Sequence, residues 1–193
     1  MNVKNITNVL VADYPFHNNL KKELVSILEH CRDTQDEKSR EYNNVKATMT
    51  SWNVTTPQIE RLKKYVENEI YKFSPLIMAG DNGEGGWKLV WKDFWGNIYR
   101  KGEYALSHHH SPSNWSFVYF LKTKWYYSSL VFTDCGQKIR PKEGRFVCFP
   151  GHLFHHVPKH RYSDTRITLS GNLYYEALCM ESWFNVTPQV SLI

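Results

Sequence analysis

Two histidine-rich segments hold the side chains best suited to chemistry in this sequence. In the first, GEYALSHHHSPSNWSFVYF, His108 and His110 flank a third histidine just before a Ser-Pro turn. Residues two apart on a β-strand point to the same side, so these two imidazoles would converge while His109 points away. Imidazole nitrogens bind iron, zinc, copper or nickel. We therefore expect two ligands of a metal site here, without a choice of metal.

A third ligand has to come from another part of the chain. The second segment, GRFVCFPGHLFHH, ends at His156 and also offers His152 and His155. Arg166 follows shortly after it, in the strand-like run RITLSGN. A His-x-His at a strand end, a second histidine cluster and a nearby arginine together favour a metal centre over incidental histidines. The choice among the three histidines stays open at this point.

Composition limits the kind of protein that can carry such a site. Of the 193 residues, 41% are hydrophobic and 15% are aromatic, and the net charge is +5. This length suits one domain, 1–193, with a sizeable core, and large rings suit a sheet-based core or a lined pocket. The modest positive charge permits acidic partners without requiring nucleic acid.

Cysteine usage and the N-terminus predict a cytoplasmic protein. The four cysteines are widely spaced and form no CxxC pair, as expected for reduced thiols. The first residues lack the apolar stretch of a signal peptide. No apolar run reaches the roughly 18 residues of a membrane span, so we expect no membrane association.

Two helices are predicted in the N-terminal part, residues 1–80, which we expect to be a helical region supporting the rest. A lead-in strand over Val3–Val11 precedes them. The first helix, His17–Cys31, and the second, Thr56–Phe73, each repeat apolar residues at three- and four-residue spacing. Thr56 is the expected N-cap, with Pro57 in the first turn. The apolar residues are Leu20, Leu24, Ile27, Leu28 and Cys31, then Ile59, Leu62, Val66, Ile70 and Phe73.

Two polar segments separate these elements. Arg32–Asn44 is charged and nearly free of apolar residues, which predicts a mobile loop, with a role as an active-site lid as an alternative. Gly80–Gly86 is a glycine-rich flexible loop. It is not a dinucleotide fingerprint, because no strand leads into it and no helix follows.

From Trp87 onward the apolar pattern changes to short alternating runs. About eight strands after two helices predict a mainly β fold with N-terminal helices, an antiparallel jelly roll (double-stranded β-helix) with its core over 87–175. The predicted strands are Trp87–Trp91, Phe94–Tyr99, Tyr104–His110, Trp115–Lys122, Ser129–Thr133, Arg145–Phe149, Leu153–Val157 and Arg166–Tyr174.

The stretch from Trp95 to Asn172 resembles the iron(II)/2-oxoglutarate-dependent dioxygenases, in particular a small bacterial and phage branch of prolyl-hydroxylase-like oxygenases. That branch has a tryptophan, G-[DE]-Y, H-x-H with a [WL]-S-x-V-Y-[YF] strand, P-x-x-G-x-x-x-x-F-P, L-x-H-x-V and R-[IV]-[ST]-[IL]-S-x-N. The matching residues here are Trp95, Gly102-Glu103-Tyr104, His108-x-His110, Trp115-Ser116-Phe117-Val118-Tyr119-Phe120, Pro141, Gly144, Phe149-Pro150, Leu153-x-His155-x-Val157 and Arg166-Ile167-Thr168-Leu169-Ser170-Gly171-Asn172.

The resemblance implies a role for each matching residue. Fe(II) would be bound by His108, His110 and His155, and the far carboxylate of 2-oxoglutarate would pair with Arg166. Thr168, two residues along, would add a hydroxyl donor. The enzyme would use O2 to hydroxylate a C–H bond and would release succinate and CO2. A phage-encoded copy would work in the host cytoplasm.

A second resemblance concerns Asn97 and Tyr99. Their spacing before the first histidine is similar to that in the AlkB-like nucleobase demethylases, where such an Asn and Tyr bind 2-oxoglutarate. We therefore assign both residues to the co-substrate. The likeness also keeps a nucleic-acid substrate open beside the favoured protein or peptide substrate, because aromatic and basic residues around Trp125 and Lys142 suit either.

One position departs from the family pattern. The usual triad is two histidines and one carboxylate, and the carboxylate position here is His110. Asp134 is an alternative source of a carboxylate. Two functions of other classes also fit part of the pattern: a three-histidine cupin that needs no 2-oxoglutarate, and a structural protein whose histidines are incidental. A cupin, however, would have no reason to place an arginine such as Arg166 facing the metal.

Overall fold

Two antiparallel sheets form the body of the protein in the computed structural model, which describes residues 9–31, 33, 35, 37–74 and 87–177. The larger sheet has the order β1-β9-β6-β11-β4-β3 and the smaller one β2-β5-β10-β7-β8. The strands are β1 (Leu10–Asp13), β2 (Val45–Lys46), β3 (Thr48–Met49), β4 (Trp87–Tyr99), β5 (Tyr104–His108), β6 (Trp115–Lys122), β7 (Leu130–Phe132), β8 (Lys138–Ile139), β9 (Arg145–Pro150), β10 (His155–Val157) and β11 (Arg166–Ala177). The predicted jelly-roll fold class is confirmed.

Alternation along the central strands gives the larger sheet two apolar faces. On β4, Phe94 and Ile98 join a core that includes the helices, whereas Trp95 and Tyr99 point into the space between the sheets. The inter-sheet core is completed by Phe120, Val147 and Phe149 of the larger sheet and by residues of the smaller one. These are Val45, Ala105, Leu130, Phe132, Ile139 and Val157. Polar side chains that share this inner face are therefore held in an apolar environment.

Helices α1 (His17–Glu29) and α3 (Pro57–Phe73) pack on the outer face of the larger sheet, and the short α2 (Glu37–Tyr42) lies between them in sequence. The predicted cap of α3 is confirmed, since Thr56 Oγ1 accepts a hydrogen bond from the Ile59 amide at 3.3 Å. The buried faces are Leu20, Leu24 and Leu28 on α1, and Ile59, Leu62, Val66 and Ile70 on α3. No helix of the described residues has the length and apolarity of a membrane span.

Three apolar positions differ from the prediction. Ile27 is 60% exposed, because the buried stripe of α1 follows the four-residue spacing of its leucines and Ile27 lies beside that stripe. Phe73 is 40% exposed at the last residue of α3, where its ring meets the edge of Trp115. Cys31 lies beyond the end of α1 and is only partly buried.

The predicted loop over Arg32–Asn44 is wrong for Glu37–Tyr42, which form α2. Charged residues such as Glu, Lys and Arg are good helix formers, so a polar run can be helical without an apolar face. Residues 32, 34 and 36 lie outside the described residues, as does the glycine-rich segment 80–86. The lead-in strand is observed only over Leu10–Asp13, and residues 3–8 are likewise not described.

Several strand boundaries also differ from the prediction. The two predicted strands Trp87–Trp91 and Phe94–Tyr99 are one continuous strand, β4, because its whole length pairs with β11. The strand carrying the first histidine ends at His108, so His110 follows it rather than belonging to it. β10 begins only at His155. The short β2, β3 and β8 were not predicted.

Neighbouring apolar residues of α1 test this packing. Replacing buried Leu24 with alanine should lower the free energy of unfolding by about 2–5 kcal/mol, because a large apolar side chain is removed from a filled core. Replacing exposed Ile27 in the same way should change it by less than about 0.5 kcal/mol. Urea unfolding measures both, and equal losses would contradict the observed orientation of α1.

Candidate metal centre and co-substrate pocket

Three histidine side chains converge at one end of the smaller sheet. His108 ends β5 and is the cross-strand partner of His155, which begins β10. His110 lies just beyond β5, where its amide donates to the Gly151 carbonyl at 2.7 Å. One nitrogen from each ring lies within 4.8 Å of the others, and the ring centroids are 4.4 to 5.2 Å apart. This separation lets one ion contact all three rings.

Hydrogen bonds fix the tautomer of two of these rings. Nδ1 of His108 lies 2.7 Å from the Leu106 carbonyl, and Nδ1 of His155 lies 3.0 Å from the Leu153 carbonyl. A carbonyl oxygen only accepts, so each Nδ1 is the donor and each Nε2 keeps its lone pair. Donation from the second ring nitrogen to a backbone carbonyl is the usual support of a metal-binding histidine.

Burial keeps the three imidazoles neutral. It lowers the pKa of His108, and it lowers the pKa of His110 and of His155 to about 3, with the neighbouring rings adding to the shift. A cation binds the unprotonated ring, so protons compete little with a metal here at neutral pH. Soft and borderline divalent metals fit such a set of three neutral nitrogens.

The other candidate ligands lie elsewhere. The ring of His156 is directed away and its Nδ1 lies 3.1 Å from Thr133 Oγ1, while His152 is exposed. Asp134 is exposed in the turn after β7. Within the described part of the chain, no carboxylate joins the three histidines. His110 is therefore the third candidate ligand beside His108 and His155.

A fully buried arginine faces the same cavity from the other sheet. Arg166 begins β11, is 1% exposed, and donates from Nη1 to the Ser128 carbonyl at 2.8 Å. Its Nε and Nη2 are buried and have no hydrogen-bond partner among the described residues. Burial lowers its pKa to about 10, which still leaves it charged at neutral pH. Burying a charge without an opposite charge beside it costs free energy, so we expect this guanidinium to bind an anion.

Aromatic rings and polar side chains complete the lining. The guanidinium carbon of Arg166 lies 5.3 Å from the ring centroid of Tyr99 and 5.5 Å from that of Phe120. Burial raises the pKa of Tyr99 to about 12, so its phenol stays protonated. Thr168 follows on the same face of β11, opposite Asn97 of β4. The cavity they share with the histidines is small, with a volume of about 30 Å³.

Asn97 is already engaged within the protein. Its Oδ1 accepts from Trp95 Nε1 at 3.1 Å, and its Nδ2 donates to Ser170 Oγ at 3.0 Å. Trp95 and Ser170 line the cavity and were missed as site residues. The two-residue spacing from Thr168 was a usable signal for Ser170. The Ser128 contact carried no signal, because a backbone carbonyl makes it.

The fold is that of solved prolyl hydroxylases. A viral collagen prolyl hydroxylase from Paramecium Bursaria Chlorella virus-1, solved as a 2OG complex, is 15% identical with a TM-score of 0.61 over 89% of this chain and 98% of its own. A Pseudomonas putida prolyl-4-hydroxylase is 14% identical with a TM-score of 0.60, over 86% and 92%. A Trichoplax adhaerens prolyl hydroxylase, solved with a hypoxia inducible factor peptide fragment, is 10% identical with a TM-score of 0.60, over 88% and 84%. No protein-family model and no curated protein matches the sequence.

Adjacent histidines allow a controlled test of metal binding. Replacing His155 with alanine should weaken binding of one Fe(II) per chain, measured anaerobically, by more than about 100-fold, because one of three ligands is lost. His156→Ala is the matched control, since that ring is bonded to Thr133 outside the cluster. Equal loss in both variants, or retained binding in His155→Ala, would contradict the assignment.

Proposed function

We propose that the protein is an Fe(II)- and 2-oxoglutarate-dependent oxygenase that hydroxylates a C–H bond. The observation that carries this proposal is the buried guanidinium of Arg166, which has two nitrogens without a partner among the described residues and shares a cavity with three neutral imidazoles. A metal alone would need only the histidines. The arginine adds a requirement for an anion, and a dicarboxylic acid that also reaches the metal meets both requirements.

The free edge of Arg166 has the shape that a carboxylate needs. Nε and Nη2 lie along one side of the guanidinium and are the two nitrogens without partners. A carboxylate bound there would make two parallel charge-assisted hydrogen bonds. Thr168 and Tyr99 line the same cavity and carry the hydroxyl groups that could add to this contact. The opposite, 2-oxo acid end of the same molecule would reach the metal.

Different residues would bind the metal and the co-substrate at the two ends of the pocket. His108, His110 and His155 would hold Fe(II), which with bound 2-oxoglutarate and O2 converts a substrate C–H bond to C–OH while succinate and CO2 are formed. Arg166 and Tyr99 fix the co-substrate's direction, and Asn97 holds the Trp95 ring through its amide oxygen. Apolar walls exclude water from the reacting end of the pocket.

His110 changes the charge of this centre. A neutral third ligand leaves the metal site one unit more positive than two histidines and a carboxylate would. Anionic ligands such as a 2-oxo acid are therefore favoured at the metal, and the metal preference itself can differ. This substitution separates the chain chemically from an oxygenase with the usual triad while leaving three ligands in place.

We propose a protein or peptide as the substrate. The support is the likeness in fold to enzymes named as prolyl hydroxylases, one of them solved with a peptide fragment. A nucleic-acid substrate is the second candidate, favoured only by the Asn97 and Tyr99 spacing. A three-histidine cupin that needs no 2-oxoglutarate would have no use for a buried cation at Arg166.

Succinate release under air tests the proposed activity. With Fe(II) and 2-oxoglutarate, the wild-type protein should release succinate even without a substrate, at a slow uncoupled rate, and not under nitrogen. His110→Ala should reduce this rate at least about 100-fold, because the triad loses a ligand. His109→Ala is the control, since that ring packs against Phe154 with centroids 4.7 Å apart. No succinate from iron-loaded wild-type protein would reject the proposal.

A further inference from the structure

A groove on the outer face of the smaller sheet is lined by positive charges and tyrosine rings. Val131 points outward there, because its neighbours Leu130 and Phe132 fill the inter-sheet core. Lys138 is its cross-strand partner and shares that face. The groove has a volume of about 310 Å³. Its lining residues are Tyr126, Ser128, Ser129, Val131, Lys138, Pro158, Lys159, Arg161 and Tyr162.

The three cations of this groove carry charge that the described part of the chain does not neutralise. Lys138, Lys159 and Arg161 are exposed and form no ion pair among the described residues. No acidic residue is among the described residues that line the groove. Asp164, the acidic residue closest to them in sequence, is already paired with Lys124 at 2.5 Å. Three positive charges around one groove attract an anionic partner.

Aromatic rings extend from the groove to an exposed tryptophan. Tyr126 and Tyr162 line the groove with their ring centroids 5.0 Å apart. Trp125 stands edge-on to Tyr126 at 5.6 Å, and the two rings are 74% and 42% exposed. Beneath them the buried Tyr127 stacks on Tyr162 at 5.0 Å. Exposed rings held by buried neighbours can stack on a planar group at a low cost in conformational entropy.

The groove lies towards the opposite end of the smaller sheet from the three histidines. Phe132 is the cross-strand partner of His155, and Ser129 comes three residues earlier, roughly 10 Å along the strand. The groove also faces outward, whereas the cavity with the histidines lies between the sheets. A partner bound in the groove would therefore dock on the protein without entering the candidate metal centre.

We propose that this groove and the adjoining Trp125 bind a single strand of nucleic acid, with phosphates at the three cations and bases on the exposed rings. Sequence-tolerant binding of single strands combines a positively charged groove with aromatic side chains on which bases stack. An acidic peptide would use the cations but would leave the exposed rings of Trp125 and Tyr126 without a role. The inference goes beyond the proposed oxygenase activity, because it assigns a docking surface and not the group that reacts.

Salt-dependent binding of oligo(dT) tests the role of the cations. The probe is a labelled strand of roughly 12 nucleotides, and fluorescence anisotropy gives its affinity for the full-length protein. The triple variant Lys138→Gln, Lys159→Gln and Arg161→Gln should reduce the slope of log affinity against log salt by about 2, since each phosphate contact on a single strand contributes about 0.7. Retention of the wild-type slope would overturn the inference.

A second triple variant controls for the loss of net charge. Lys22, Arg61 and Lys92 are exposed cations of α1, α3 and β4, and their replacement by glutamine removes the same charge from other parts of the surface. This variant should keep the wild-type slope. An equal decrease in both triple variants would show only a general attraction of a basic protein for a polyanion, and it would overturn the inference.

Replacement of Trp125 tests base stacking with the same probe. Trp125→Ala should bind oligo(dT) at least about fivefold more weakly, the factor that corresponds to about 1 kcal/mol of stacking. Trp125→Phe should recover part of the affinity. Trp52→Ala is the matched control, since Trp52 is also exposed but packs on Trp95 beside the candidate metal centre. Binding that depends on Trp52 instead of Trp125 would place the strand at the metal centre and overturn the inference.

Two further outcomes would also reject this docking surface. One is the absence of saturable oligo(dT) binding by the wild-type protein. The other is equally tight binding of poly(glutamate) that Trp125→Ala leaves unchanged, which would assign the groove to acidic proteins. Succinate release without substrate uses none of the replaced side chains and should keep the wild-type rate in every variant. Failure of the inference and failure of the proposed oxygenase activity are therefore distinguishable.

Discussion

A buried positive charge without a counter-ion is the constraint on which this site depends. Among the described residues, Arg166 donates to the Ser128 carbonyl and lies near the rings of Tyr99 and Phe120, while its Nε and Nη2 have no hydrogen-bond partner. Removing such a group from water costs several kcal/mol unless an opposite charge accompanies it. The folded chain supplies no acidic side chain in the cavity among its described residues. A bound anion would neutralise this charge, and the free Nε and Nη2 edge of the guanidinium is where we expect it to bind.

The two-sheet architecture brings that charge to the histidines. β5 and β10 of the smaller sheet hold His108 and His155 as cross-strand partners, and β11 of the larger sheet holds Arg166 on its inner face. The helices cover only the outer face of the larger sheet and leave the inter-sheet face to the cavity residues. In the proposed function, a ligand with an acid group at each end would reach from Arg166 on one sheet to the histidines of the other.

Sequence alone was sufficient where strict alternation or motif spacing applied. The strand of Arg166 and Thr168 and the cap of α3 at Thr56 follow from local patterns. The pairing of His155 with His108 was indicated by the resemblance to the family motif. Tertiary packing decided the rest. Ile27 is as hydrophobic as a core residue but lies beside the buried stripe of α1. The contact between Ser128 and Arg166 could not be predicted, because it is made by a backbone carbonyl that any residue type would provide. The roles of the cavity residues stay predictions.

Discrimination between two 2-oxo acids tests the central claim most directly. 2-Oxopentanoate matches 2-oxoglutarate in length but has a methyl group in place of the far carboxylate. Anaerobic titration of the Fe(II) protein should show 2-oxoglutarate binding about 100-fold or more tightly, the factor expected for a buried charge pair worth roughly 3 kcal/mol. In Arg166→Gln this preference should largely vanish, while the exposed Arg140→Gln control should keep it. Equal preference in wild type and Arg166→Gln would contradict the account.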